Sequence, residues 1–243
     1  MPQLKAILFD IDDTLFSTTE FARKARRNAV QAMLQAGLDM PEETVARELE
    51  EVLSEFSSNY EHHFDKLMVR LRPPCLARVN PALIVAAGVA AYHDTKFREL
   101  VPYEDVPPFL AALRKAGMRL GIITHGWTVK QAEKLVRLGL VPFLEPSSIF
   151  ISDQLGISKP NPKLWTLALT DMHLLPQEAM YVGDSPENDV SAPRALGMVT
   201  VWAARAAKRG LEGARSEPDH SVSDFRELAG ILRERYGVKL EAF

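Results

Sequence analysis

Four aspartates, a threonine and a lysine stand where apolar runs of this chain end. Asp10 and Asp12 follow the run in "KAILFDIDDTLF", with Asp13 and Thr14 directly behind them. Thr124 closes "RLGIIT", Lys159 lies in "SKPNP", and Asp184 and Asp189 lie in "GDSPENDV". One carboxylate at such a place could be a helix cap. Carboxylates as close as Asp10 and Asp12 repel one another and resist burial, so a cluster of them calls for a cation. Four acids with one lysine and one threonine, all at predicted strand ends or in the loops that follow, would make a single crevice.

The elements needed to build that crevice are legible as a rhythm. After residues 6–9 come short apolar runs at 119–124, 147–152, 179–184 and 198–203, separated by segments of helical period. One such segment spans 105–116, with Pro107 and Pro108 in its first turn and Gly117 as its stop. Others span 127–138, stopped by Gly139, start near Asn161 and Pro162, and end at Gly197. Strand and helix in alternation predict a doubly wound, Rossmann-like parallel sheet with helices on both faces. Ligands of such sheets bind beyond the carboxyl ends of the strands, where Asp10, Thr124 and Asp184 fall.

Residues 17–99 break the rhythm. Ala22, Ala25, Ala29 and Met33 recur at helical spacing up to Gly37, and Val45, Leu49, Val52, Leu53 and Phe56 follow Pro41. Further helical segments are separated at "RPPC" and "NPAL". The expected organisation is a catalytic core of 1–16 and 100–243 with an all-helical domain, 17–99, inserted after the first strand.

"DIDDT", "IIT", the lysine of "SKPNP" and "GDSPEND" together resemble the four motifs of the haloacid dehalogenase superfamily, specifically its phosphatase branch with a helical cap. The segment "SNYEHHFDKL" further resembles a subgroup of glyceraldehyde-3-phosphate phosphatases. The resemblance implies a Mg2+-dependent phosphatase acting on a small phosphorylated metabolite, with the cap closing over the cleft. Asp10 is then the nucleophile that forms an aspartyl-phosphate. Asp12 is the acid for the leaving alkoxide and the base for the water that follows. Asp10 and Asp184 offer hard oxygen ligands to Mg2+, joined by the Asp12 backbone carbonyl, and Asp189 acts through bound water and Lys159. Thr124 binds a transferring oxygen and Lys159 neutralises its charge.

Other residues carry competing readings. Asp13 is expected only to occupy the turn, and Thr14 to support it or position Asp12. Thr124 could also cap the next helix, and His125 departs from the asparagine frequent after that threonine. Ser185 and Asn188 suit either water contact or local turn bonding. Within the cap, His62 and His63 are not spaced as a helical metal pair; they read as solvated or as one substrate contact. Arg23, Arg26 and Arg27 read as a charged helix face or as a contact to a second anionic group. Arg205, Lys208 and Arg209 read as a solvated loop near Gly210 and Gly213, Trp127 as packing, and Cys75 as structural.

Three rival functions share this pattern. A dehalogenase has no need to protonate a halide, so Asp12 argues against it; a phosphomutase uses the same acid pair; a non-catalytic binding protein would have lost a site residue. The 243 residues are 47% hydrophobic and 25% charged with a net charge of −3, which gives no electrostatic case for nucleic acid or a membrane surface. The longest apolar stretch, 82–92, is far shorter than the roughly 20 residues of a bilayer span. A single cysteine and no leader-like start suggest a cytoplasmic protein.

Overall fold

The computed structural model describes residues 3–56, 60–212 and 214–241. Ser58 and Asn59 of "SNYEHHFDKL" and Gly213 of the basic loop lie outside the described residues. The chain divides into two compact units, Met1–Thr18 with Val101–Phe243, and Thr19–Leu100.

The larger unit is a six-stranded parallel sheet. Its strands are β1 (Ala6–Phe9), β2 (Arg119–Thr124), β3 (Ile149–Ile151), β4 (Ala179–Gly183), β5 (Val199–Ala203) and β6 (His220–Val222), in the order β3-β2-β1-β4-β5-β6. All four residues of β1 are buried, as a strand covered on both faces requires. Ala6 and Leu8 pack with Ile123, Tyr181 and Trp165 on one face. Phe9 meets Phe109 and Phe225 edge-on at 6.4 and 6.0 Å on the other. The order runs from β1 to β3 in one direction and resumes at β4 on the opposite side of β1. The loops after β1 and β4 therefore part from each other and leave a crevice between them.

The all-helical unit consists of α1 (Thr18–Gln35), α2 (Glu42–Phe56), α3 (His63–Leu71) and α4 (Pro81–Glu99). Gly37, with φ +102°, follows α1, and the Asn80 side chain caps α4 by accepting from the Ala82 N–H. Val30, Met33, Val45, Leu49, Leu67 and Ile84 form a core of its own, with the buried free thiol of Cys75 in it. The larger unit continues with α5 (Val106–Lys115), α6 (Thr128–Arg137), α7 (Ser152–Leu155), α8 (Lys163–Asp171), α9 (Ser191–Ala195) and α10 (Phe225–Tyr236). β6 and α10 lie beyond the last apolar run read from the sequence, 198–203. No helix among the described residues is long and apolar enough to cross a membrane.

Two readings of the sequence need correction. Asp13 does more than fill a turn: it is buried with φ 54°, its Oδ1 accepts the Thr18 N–H that starts α1, and Lys208 Nζ lies 2.9 Å from Oδ2. The basic loop is accordingly not simply solvated. Arg205 grips Asp105 with two bonds of 2.7 and 2.6 Å and stacks 4.4 Å from the Tyr103 ring, while Arg209 meets Glu187 at 3.1 Å. The buried carboxylates of Asp13 and Asp105 attract Lys208 and Arg205, an interaction that adjacent sequence cannot reveal.

Candidate active site

The crevice is built from three strand ends and one loop. Asp10 leaves β1 with its N–H donating to the Val182 carbonyl, which fixes it against β4. Lys159, in the loop before α8, sends Nζ to Asp10 Oδ1 at 2.7 Å and to Asp189 Oδ1 at 2.8 Å, with only 4% of its side chain exposed. Carboxylate oxygens of Asp10, Asp184 and Asp189 lie within 4.8 Å of one another. Asp189 can come this close because Gly183 has no side chain: a Cβ there would sit 2.4 Å from the Asp189 Cγ.

Asp189 is held from three directions. Its Oδ1 also faces the Tyr181 hydroxyl at 3.2 Å, and its Oδ2 accepts the Ser185 N–H at 2.9 Å. Tyr181 is fully buried and its hydroxyl lies 2.9 Å from the Ile123 carbonyl as well, joining β4 to β2. Burial and then the Asp189 charge raise its pKa well above the ordinary tyrosine value. Ser185 Oγ accepts the Asn188 N–H at 3.4 Å, a local turn bond between the two residues. The turn is one wide π-helical loop, Pro186–Val190, leading into α9. The Asp184 backbone carbonyl accepts from Trp202 Nε1 at 2.8 Å.

Electrostatics separate the acids. Burial pushes the Asp10 carboxyl up to about 6 against the pull of Lys159, with Asp189 and Asp12 adding repulsion. Burial, reinforced by Asp189 and Asp10, pushes Asp184 up to about 8. Burial also works against the charge of Lys159, but Asp10 and Asp189 outweigh it and raise its pKa. Three crowded carboxylates sharing one ammonium are a hard-oxygen set short of positive charge, and the donor chemistry suits a divalent cation such as Mg2+.

Asp12 points into different surroundings. Lys134 Nζ lies 2.6 Å from both of its carboxylate oxygens, Thr18 Oγ1 donates to Oδ1 at 3.0 Å and Gln131 Nε2 to Oδ2 at 3.2 Å. Burial would raise the Asp12 pKa, but Lys134, helped by Gln131 and Thr18, holds it below the usual carboxylate range. Gln131 and Lys134, both on α6, were missed in the sequence. Their signal was a glutamine and a lysine three apart, one face of a helix, directly after the Thr124 motif.

Thr124 is fully buried and its hydroxyl meets Gln131 Oε1 at 3.4 Å. It is not the cap of α6, which begins four residues later; Asp153 accepts from both the backbone N–H and the hydroxyl of Thr128 instead. The Gly126 N–H donates to Ser152 Oγ at 3.0 Å, tying the loop after β2 to the start of α7. His125 is exposed and its Nδ1 lies 2.6 Å from Ser158 Oγ, linking the Thr124 and Lys159 loops. Trp127 is 45% exposed with Lys130 Nζ 4.2 Å from its ring centroid, a surface contact rather than core packing. Thr14 is buried, and its hydroxyl has no hydrogen-bond partner among the described residues.

In the helical unit, His62 is exposed, with Nδ1 3.5 Å from Asp65, and both His62 and His63 stand edge-on to Tyr60. Arg26 reaches Glu50 at 3.4 Å, while Arg23 and Arg27 are exposed.

Comparison with known proteins agrees with this geometry. The model of the haloacid dehalogenase-like hydrolases matches residues 7–203. A glyceraldehyde 3-phosphate phosphatase of Methanopyrus kandleri is 45% identical over 235 residues, covering 95% of this chain and 98% of that one. Another, of Methanocaldococcus jannaschii, is 35% identical over 230 residues, covering 95% and 97%. Among solved structures, a phosphatase of the family from Thermococcus onnurineus superposes with a TM-score of 0.61 at 24% identity, covering 94% and 98%. A family hydrolase from Deinococcus radiodurans with bound phosphate and sodium gives 0.66 at 20%, covering both chains fully. The chain belongs to the haloacid dehalogenase-like hydrolases, in the phosphatase line of that family.

Proposed function

We propose that this protein is a Mg2+-dependent phosphatase that hydrolyses a small phosphate monoester, a triose phosphate such as glyceraldehyde 3-phosphate, through an aspartyl-phosphate. The observation that carries the reading is the division of two neighbouring acids: Asp10 lies in the carboxylate cluster beside Lys159, and Asp12 is turned to Lys134 and Gln131. The relatives named for glyceraldehyde 3-phosphate support the substrate class.

Asp10, Asp184 and Asp189 would hold the metal, with the Asp12 backbone carbonyl as a further ligand. Bound there, Mg2+ supplies charge neutralisation for the phosphoryl oxygens. An Asp10 carboxylate oxygen attacks phosphorus, the bond from phosphorus to the ester oxygen breaks, and Asp12 delivers a proton to the departing oxygen. Water then attacks the phosphorus of the aspartyl-phosphate, gives its proton to Asp12, and releases phosphate with Asp10 restored. Lys159 neutralises negative charge that builds on the transferring group, and the Thr124 hydroxyl, buried at the end of β2, would be a further donor to it.

The test is phosphate release from glyceraldehyde 3-phosphate and a panel of other small phosphate esters, with Mg2+ and under chelation. Asp10→Asn should abolish turnover, a loss of about 10^4-fold or more when the nucleophile is removed. Full activity in that variant, or in rigorously chelated enzyme, would sink the mechanism; a different preferred ester would move only the substrate.

A further inference from the structure

Helix α6 carries a side chain that no polar surface requirement explains. Gln131 is 4% exposed, and all of its amide is used. Its Nε2 donates to the His125 carbonyl at 2.8 Å and to Asp12 Oδ2 at 3.2 Å, and its Oε1 faces the Thr124 hydroxyl at 3.4 Å. The loop is shaped around this amide: Gly126 has φ +136°, and a Cβ there would sit 2.5 Å from Gln131 Nε2. One residue type therefore clears the space and another fills it. One turn further along α6, Lys134 Nζ is 2.6 Å from both oxygens of Asp12. Asp12 stands on a loop after β1 and takes no part in the carboxylate cluster, so its carboxylate orientation depends on these partners and on Thr18.

We propose that Gln131 and Lys134 are positioning residues for proton transfer by Asp12, binding the loop after β1 to the loop after β2 so that the carboxylate faces the leaving oxygen. The inference rests on the assignment of Asp12 as the proton-transferring group. Neither residue needs to touch the phosphoryl group. The consequence is selective: reactions whose leaving group must be protonated depend on the clamp, and those with a good leaving group do not.

The experiment compares kcat/KM for an alkyl phosphate, glycerol 3-phosphate, with that for p-nitrophenyl phosphate. For a two-step reaction kcat/KM reports events up to formation of the aspartyl-phosphate, where the leaving group departs. Gln131→Met and Lys134→Met should each lower the alkyl value by about tenfold or more, within the range of a proton-transfer contribution, and the aryl value by less than about threefold. Lys134→Arg, which keeps a cation beside Asp12, should recover most of the alkyl loss. In an Asp12→Ala background, Gln131→Met and Lys134→Met should cost nothing further, because the residues act through the group already removed. Equal losses on both substrates, or losses that add in full to that of Asp12→Ala, overturn the proposal. Asp12→Ala must itself separate the two substrates; if it does not, the role of Asp12 fails, which is a different failure. Lys134 is partly exposed, so its variants read the clamp even if Gln131→Met does not fold.

Discussion

Asp10 and Asp12 are two residues apart and live in opposite electrostatic environments. Burial and acid neighbours raise the first to about 6, while Lys134 lowers the second. With Asp184 raised to about 8, the cluster has a definite pH signature. Unfolded aspartate titrates near about 3.9. A raised folded value means that the native state binds more protons than the unfolded state between those limits, so stability falls as pH rises through them. The ion-free protein should therefore lose melting temperature from about pH 4 toward pH 8. A divalent cation relieves the same repulsion, and its stabilising effect should be larger near pH 8 than near pH 5 because the ligands are then ionised. Thermal melts in chelator and in MgCl2 at both pH values measure this. Equal shifts at the two would refute the electrostatic account of the cluster.

Between elements, the decisive contacts are made where loops and helix ends meet. Asp105 stands before α5, is 4% exposed, and binds Arg205 from the loop after β5 and the Phe225 N–H that starts α10. Burial would raise its pKa, but Arg205 and the Phe225 N–H hold it below the usual range. Three segments distant in sequence thus share one carboxylate. Removing it leaves a guanidinium and a helix N–H without their partner, and Asp105→Ala should cost about 3 kcal/mol in urea denaturation. The variant should still respond to MgCl2, because no cluster residue is touched. A change below about 0.5 kcal/mol would make the contact a surface ion pair in energetic terms.

For the whole molecule, the two units have separate cores, and every residue of the carboxylate cluster belongs to the sheet unit. The places where the chain leaves and re-enters that unit are tied together: the Tyr103 N–H donates to the Leu15 carbonyl at 3.0 Å. A short Gly/Ser linker replacing 19–100 spans such a gap easily. The shortened protein should fold, melt cooperatively and be stabilised by MgCl2 as much as the full chain is. Circular dichroism and thermal melts decide this, and a chain without a cooperative transition would show that the sheet unit depends on the helical one.

What the sequence determined was local. The apolar runs that become β1 to β5, the glycine and proline stops, the four-motif placement of Asp10, Thr124, Lys159, Asp184 and Asp189, and the helical character of the insertion were all legible, because each depends on periodicity or on residues adjacent in the chain. Partnership beyond the pairing of Lys159 with Asp189 was not. Lys134 beside Asp12, Gln131 under Gly126, Lys208 against Asp13 and Tyr181 between Ile123 and Asp189 join residues from separate elements. Only the tertiary structure decided them, because the strength and direction of an electrostatic contact depend on distance and burial in space. "FDIDDT" thus announces three acids, and the fold gives one to the cluster, one to α6 and one to the start of α1.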